Sequence, residues 1–123
     1  MNKKVLVIED ETSLRFLLCE RLSSENFQIF SASNGVDGLS LALQEKPNLI
    51  LLDIMMPGID GNHVLEEIRK NDWGKKAHVI ILTNLNTSEE LAKALELEAF
   101  EFYVKSNIKI EDLMQKIIQY LKK

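Results

Sequence analysis

Glu9 and Asp10 in VLVIEDE, Asp53 in LILLDIMMPG, Thr83 in VIILT and Lys105 in FYVK each sit at or just past the end of a short apolar run. Three carboxylates, a hydroxyl and a cation gathered in one place would form an unusual set. Clustered carboxylates repel one another and raise each other's pKa unless a cation neutralises them. Oxygen-only ligands suit a hard metal, and Mg²⁺ typically takes one or two carboxylates, keeps water and completes its shell with phosphate oxygens. A carboxylate beside such an ion is a nucleophile towards phosphorus and forms an aspartyl phosphate. A lysine ammonium and a hydroxyl would then neutralise and hydrogen-bond the transferring group. On this reading Asp53 is the phosphoacceptor, and the Pro57-Gly58 turn carries the chain away from the incoming donor. Each residue also has a plainer explanation. Glu9, Asp10 and Glu11 favour a helix start, Asp53 opens a turn, Thr83 suits a strand and Lys105 snorkels to solvent. It is the combination that asks for chemistry. His63 and His78 stand alone and offer no competing metal cluster.

The elements that must position this set follow from hydrophobic spacing. Val5 to Ile8, Leu49 to Leu52 and Val79 to Leu82 are apolar on consecutive residues, as central parallel strands covered on both faces require. Weaker β-rich stretches at Phe27 to Phe30 and Phe102 to Val104 bring the number of strands to five. Between them lie helical patterns. Leu14, Leu17, Leu18 and Leu22 form one apolar face, and Ile110, Leu113, Met114, Ile117, Ile118 and Leu121 form another. Helices are also expected at Val36 to Gln44, Gly61 to Lys70 and Ser88 to Leu97. Asn34, and Thr87 or Ser88 ahead of Glu89-Glu90, provide start signals. A fivefold β-α alternation with right-handed crossovers gives one doubly wound sheet, whose ligands bind beyond the carboxyl ends of the strands. That is where the five polar residues fall.

The chain has 123 residues, 46% of them hydrophobic and 28% charged, which suits one domain. A net charge of −4 argues against a nucleic-acid footprint. Cys19, the single cysteine, excludes an intramolecular disulfide and is expected to be a buried thiol on a helix face. The apolar start is too short for a signal peptide or membrane span, so a cytoplasmic protein is expected.

The stretches VLVIEDE, ASNGVDGL, PNLILLDIMMPGIDG, VIILT and FYVK, in that order, resemble the receiver domains of two-component response regulators over essentially the whole chain. The resemblance implies an α/β doubly wound (βα)5 sandwich like that of the chemotaxis regulators. Its five-stranded parallel sheet would have order 2-1-3-4-5 with helices on both faces. It implies that Asp53 accepts a phosphoryl group from a histidine kinase or phosphotransfer protein. Mg²⁺ would be held by Asp10 directly, by Glu9 through water, by Asp53 and by the backbone carbonyl of Met55. Thr83 is the implied switch hydroxyl, Lys105 its paired cation, and Phe102 an aromatic that swings inward on activation. The product is a signal, so the protein is not expected to be an enzyme beyond limited self-catalysed phosphorylation and dephosphorylation.

This chain departs from the family pattern at four places. Ser106 replaces a proline usually joined to the lysine by a cis peptide, which leaves the isomer and the aim of Lys105 open. Glu98 replaces a glycine closing the fourth helix, where a left-handed backbone would strain a side chain. Asn84 replaces Ala or Gly after the switch threonine and is expected to crowd the approach to Asp53. Gly38 replaces an alanine inside the second helix, at a propensity cost of roughly 1 kcal/mol.

The expected output surface is the face formed by the fourth helix, fifth strand and fifth helix. Glu89, Glu90, Lys93 and Glu96 lie on it, with Leu97, Phe100 and Tyr120 either exposed nearby or part of the core. The chain ends close after its last helix, so residues 1–123 are expected to form a single receiver domain with no output domain, standing alone or cut from a longer protein. Direct nucleic-acid contact and membrane insertion are not expected, and the protein is expected to be a monomer or a weak phosphorylation-dependent dimer. Two alternatives stand beside this reading. One is a degenerate receiver that signals without phosphate. The other is an aspartyl-phosphate phosphatase, against which Met55 stands where such an enzyme needs a second acid.

Overall fold

Strand and helix alternate five times. In the computed structural model, which describes residues 3–84 and 88–122, β1 (Lys4–Ile8) leads to α1 (Thr12–Ser23) and β2 (Gln28–Ala32) to α2 (Gly35–Glu45). β3 (Leu49–Asp53) leads to α3 (Gly61–Arg69), β4 (His78–Thr83) to α4 (Ser88–Glu96) and β5 (Glu101–Val104) to α5 (Ile110–Leu121). Every strand pair is parallel and the order is β2-β1-β3-β4-β5, as the resemblance implies. Short 3-10 turns at Trp73–Lys76 and Lys105–Asn107 are additions that periodicity does not reveal. Thr87 lies outside the described residues, whereas Asn34 caps α2 by accepting from the Asp37 amide at 2.8 Å.

The central strands are apolar throughout because alternate side chains feed two separate cores. Leu6, Ile8, Ile50, Leu52 and Ile81 pack with Ala42, Val64, Leu65, Ile68 and Ala94 under α2, α3 and α4, and Trp73 leans on this cluster from the side. Val5, Val7, Leu49, Leu51, Ile80 and Leu82 pack on the opposite face with Leu18, Leu22, Leu113, Ile117 and Leu121 of α1 and α5. Each large side chain so buried contributes roughly 1.5–3 kcal/mol of transfer free energy.

Leu17 departs from the expected face of α1. It is 41% exposed, because Leu14, Leu18 and Leu22, spaced by four, already supply the stripe that meets the sheet, and Leu17 lies about 100° round from Leu18. Cys19 is only partly buried on the edge of the same cluster, and its burial pushes the thiol pKa up.

Gly38 carries a packing message that composition hides. A Cβ there would approach three side-chain atoms of the fully buried Ile8 at 2.7–2.8 Å, so the lost helix propensity is exchanged for close contact between α2 and β1. Among the described residues no helix is long and apolar enough to cross a membrane.

Glu98 does adopt the left-handed backbone expected of its position, with φ +65°. The end of α4 keeps its hydrogen bonds, Glu98 N–H donating to the Leu95 carbonyl at 3.0 Å and Ala99 N–H to the Ala94 carbonyl at 3.1 Å. The strain therefore stays local to one residue. Glu98→Gly is expected to raise the unfolding free energy by about 1 kcal/mol in a urea titration, as removal of a Cβ from this region does.

Candidate functional site: an acidic cluster closed by a lysine

The carboxyl edge of the sheet brings the predicted polar residues together. Asp53 and Thr83 are the last residues of β3 and β4, while Glu9 and Lys105 directly follow β1 and β5. Glu9 is fully buried and Asp53 is 1% exposed, whereas Asp10 stays open to solvent. One carboxylate oxygen from each of Glu9, Asp10 and Asp53 falls within 4.8 Å of the others.

Several local contacts hold the cluster. The Glu9 amide donates to the Ala32 carbonyl at 3.1 Å, and the Glu9 carbonyl accepts from Arg15 Nη1 at 2.8 Å. Glu9 Oε2 accepts from the Glu11 amide at 2.9 Å. Asp53 Oδ1 accepts from the Met55 amide at 3.2 Å. Arg15 and the Glu11 amide escape sequence reasoning, since neither bond has a motif. Beyond Asp53 the chain turns through Gly58, whose φ of +80° suits glycine, and returns so that the Gly61 amide donates to the Ile54 carbonyl at 2.7 Å. A Cβ on Gly61 would run into the Asp53 carbonyl, so the IDG segment lies directly against the phosphoacceptor candidate.

Lys105 closes the site. Its Nζ lies 2.9 Å from Glu9 Oε1, 3.0 Å from Glu9 Oε2 and 3.0 Å from Asp53 Oδ2. No cis peptide occurs among the described residues, so Lys105 reaches both acids through a trans bond to Ser106. Burial pulls the ammonium pKa down, but the hydrogen bond to Glu9 and the charge of Asp53 outweigh it and leave it raised.

One ammonium cannot balance three carboxylates, and the remainder raises the pKa of one of them. Burial first, then the hydrogen bond with the Asp10 carboxyl and the charge of Glu9, push Asp53 up to about 8 against the pull of Lys105. Burial also pushes Asp10 up, but hydrogen bonds with Asp53 and Glu9 and the charge of Lys105 bring it below its ordinary value. Opposite shifts on two neighbouring carboxyls mean that they titrate as a pair and not independently. Glu9 Oε1 and Asp53 Oδ2 are buried and receive no directed hydrogen bond, only the ion pairs to Lys105. An all-oxygen set with uncompensated negative charge fits a hard divalent cation.

The remaining candidates lie nearby in the fold. Thr83 is 2% exposed and its hydroxyl donates to the Asn84 carbonyl at 3.2 Å. Phe102 is 41% exposed, with its ring outward, and Asn84 and Ser106 are exposed. Phe100 and Tyr120 are 59% and 38% exposed, while Leu97 belongs to the edge of the core under α4. His78, with no signal in the sequence, stacks on Tyr120 at 3.6 Å and tilts against Phe100 at 3.9 Å.

The raised carboxyl has a thermodynamic sign. Asp53 binds its proton more tightly folded than unfolded, so its contribution to stability is greatest in acid and is lost as pH rises from about 4 to about 8. The lowered Asp10 works the other way, losing stability only as pH falls below about 4. Without divalent cations the melting temperature should therefore fall between pH 5 and pH 8. Asp53→Asn should flatten that slope and add on the order of 2 kcal/mol at pH 8. Thermal melts of both proteins across this range check it.

Residues 5–118 match the response regulator receiver domain family. Sporulation initiation phosphotransferase F of Bacillus subtilis (strain 168) is 32% identical over 121 residues, covering 98% of this chain and 95% of that protein. The probable transcriptional regulator ycf27 of Porphyridium aerugineum is 40% identical over 104 residues, but this chain spans only 42% of its length. Among solved structures, a CheY-like response regulator receiver domain protein from Methanospirillum hungatei JF-1 superposes with a TM-score of 0.89 at 25% identity, covering 99% of this chain and 95% of that one. The chain belongs to the response regulator receiver domain family.

Proposed function

We propose that this protein is a phosphorylation-dependent signalling switch that accepts a phosphoryl group on Asp53 from a histidine kinase or phosphotransfer protein. The observation that carries the reading is Lys105 Nζ bridging Glu9 and Asp53 inside a buried acidic cluster. A near-full-length likeness to a protein named as a phosphotransferase supports it. So does the family's place in two-component signalling.

The chemistry follows from the geometry. An Asp53 carboxylate oxygen forms the new P–O bond as the donor's P–N bond to a histidine ring breaks. The leaving nitrogen keeps the bonding pair, and the ring departs as a neutral imidazole whose N–H proton is already on its other nitrogen or comes from solvent. Asp53 reacts as its carboxylate, and filling the cation site favours that ionised form. Mg²⁺, held by Asp10, Asp53, the Met55 carbonyl and Glu9 through water, would supply charge neutralisation at the transferring group. Lys105 is already 3.0 Å from Asp53 Oδ2 and pairs with the phosphoryl oxygens as charge builds there. The Thr83 hydroxyl then turns to the phosphoryl group, and Phe102 moves inward from its outward position. These moves alter the face of α4, β5 and α5, where Leu95, Phe100, Phe102 and Tyr120 offer apolar surface to a downstream protein. The chain works as one receiver unit, alone or within a longer protein.

Intact mass after incubation with acetyl phosphate tests this. A gain of one phosphoryl group is expected with Mg²⁺, at least tenfold less without it, and none in Asp53→Asn. No gain in the native protein, together with no binding of beryllofluoride, would favour a receiver that signals without phosphate.

A further inference from the structure

Among the described residues, two α3 side chains, one near each end of the helix, hydrogen-bond to backbone carbonyls in or just past α4. At the start of α3, Asn62 Nδ2 donates to the Glu90 carbonyl in the first turn of α4 at 2.8 Å. At the far end, Arg69 spreads its guanidinium over four carbonyls. Nε donates to Leu97 at 2.8 Å, Nη2 to Glu98 at 3.0 Å, and Nη1 to Gly74 at 2.6 Å and Ala77 at 2.8 Å.

The two attachments differ in strength. The Arg69 bonds are charge-assisted, about twice as strong as neutral ones, and two of them close on the carbonyl end of a helix, where a cation is favoured. Asn62 makes one neutral bond, and its Oδ1 is buried without a partner although the residue is only 9% exposed. If α4 moves relative to α3, its amino end gives way first and its carboxyl end serves as the pivot.

That amino end is also where the site's signals arrive. Gly61 is pressed on the Asp53 carbonyl and bonded to Ile54, and Asn62 is the next residue. A backbone shift at Asp53 therefore reaches the Asn62 amide directly. Along the other path, α4 begins at Ser88, shortly after Thr83.

We propose that Asn62 is a positioning residue that holds the amino end of α4 against α3 in the unphosphorylated protein, with Arg69 as the pivot, and so weights the two positions of the output helix. The proposal rests on the phosphoacceptor reading of Asp53 given above. Asn62→Leu keeps the branched shape with somewhat larger methyl groups, removes the tether and also removes a buried unpaired oxygen, so overall stability is largely retained. A residue that only supports the fold would leave switching unchanged.

The test compares amide spectra of the full chain, native and Asn62→Leu, free and saturated with Mg²⁺ and beryllofluoride. In the free variant, signals from Leu91 and Ala92 should lie displaced towards their activated positions in the native protein, while those of Leu97 and Glu98 stay in place. Phosphorylation by acetyl phosphate should be about fivefold faster, the ratio that one ordinary hydrogen bond corresponds to. Spectra and rates equal to the native protein's would overturn the proposal. A native spectrum indifferent to beryllofluoride would remove the phosphoacceptor reading instead. The tether is then judged on amide exchange in the amino half of α4, faster by about fivefold in the variant if Asn62 holds it and unchanged if it does not.

Discussion

Glu9, Asp10 and Asp53 crowd three negative charges round one ammonium, and much of the molecule is arranged to tolerate this. Two of these carboxylates are taken out of water, where charge is expensive unless paired. The sheet meets that cost by aligning three strand ends so that Lys105, arriving from β5, reaches both β1 and β3 acids at about 3 Å. What pairing does not cover raises the pKa of the Asp53 carboxyl. A site held off its electrostatic balance in this way responds strongly to anything that brings positive charge or removes a proton.

The fold was largely legible because its signals are redundant. Val5–Ile8, Leu49–Leu52 and Val79–Leu82 are too short and too apolar to be anything but covered strands, and the helices between them repeat with the right period. The weaker edge strands were misplaced by a residue or two. Phe27 lies before β2, and Glu101 begins β5, since half-covered strands carry mixed side chains. Site positions were legible for a related reason, because topology places strand ends together whatever the side chains are.

What escaped has a common cause. Arg69 and Asn62 act on backbone carbonyls, which every residue possesses, so no partner type in the sequence announces the contact. Leu17 faces outward although the spacing of the leucines suits an inward position, because apolar character alone does not say which side of a helix wins when too many leucines compete. The opposite pKa shifts of Asp10 and Asp53 depend on ångström-scale distance, which spacing along a chain does not encode. The propensity cost of Gly38 is visible in the sequence, whereas its fit over Ile8 depends on a contact between residues thirty positions apart.

The parallel sheet also divides the interior into two compartments that share no side-chain contact layer, and Trp73, the single tryptophan, leans on only one of them. It sits in the 3-10 turn whose Gly74 carbonyl is bonded to Arg69, on the side of α2, α3 and α4. Tryptophan emission, excited selectively over that of Tyr103 and Tyr120, is thus a one-sided optical probe. It reports on the half of the protein that carries the α3 and α4 contacts and is nearly blind to loosening around α1 and α5, so a silent emission spectrum says nothing about that half.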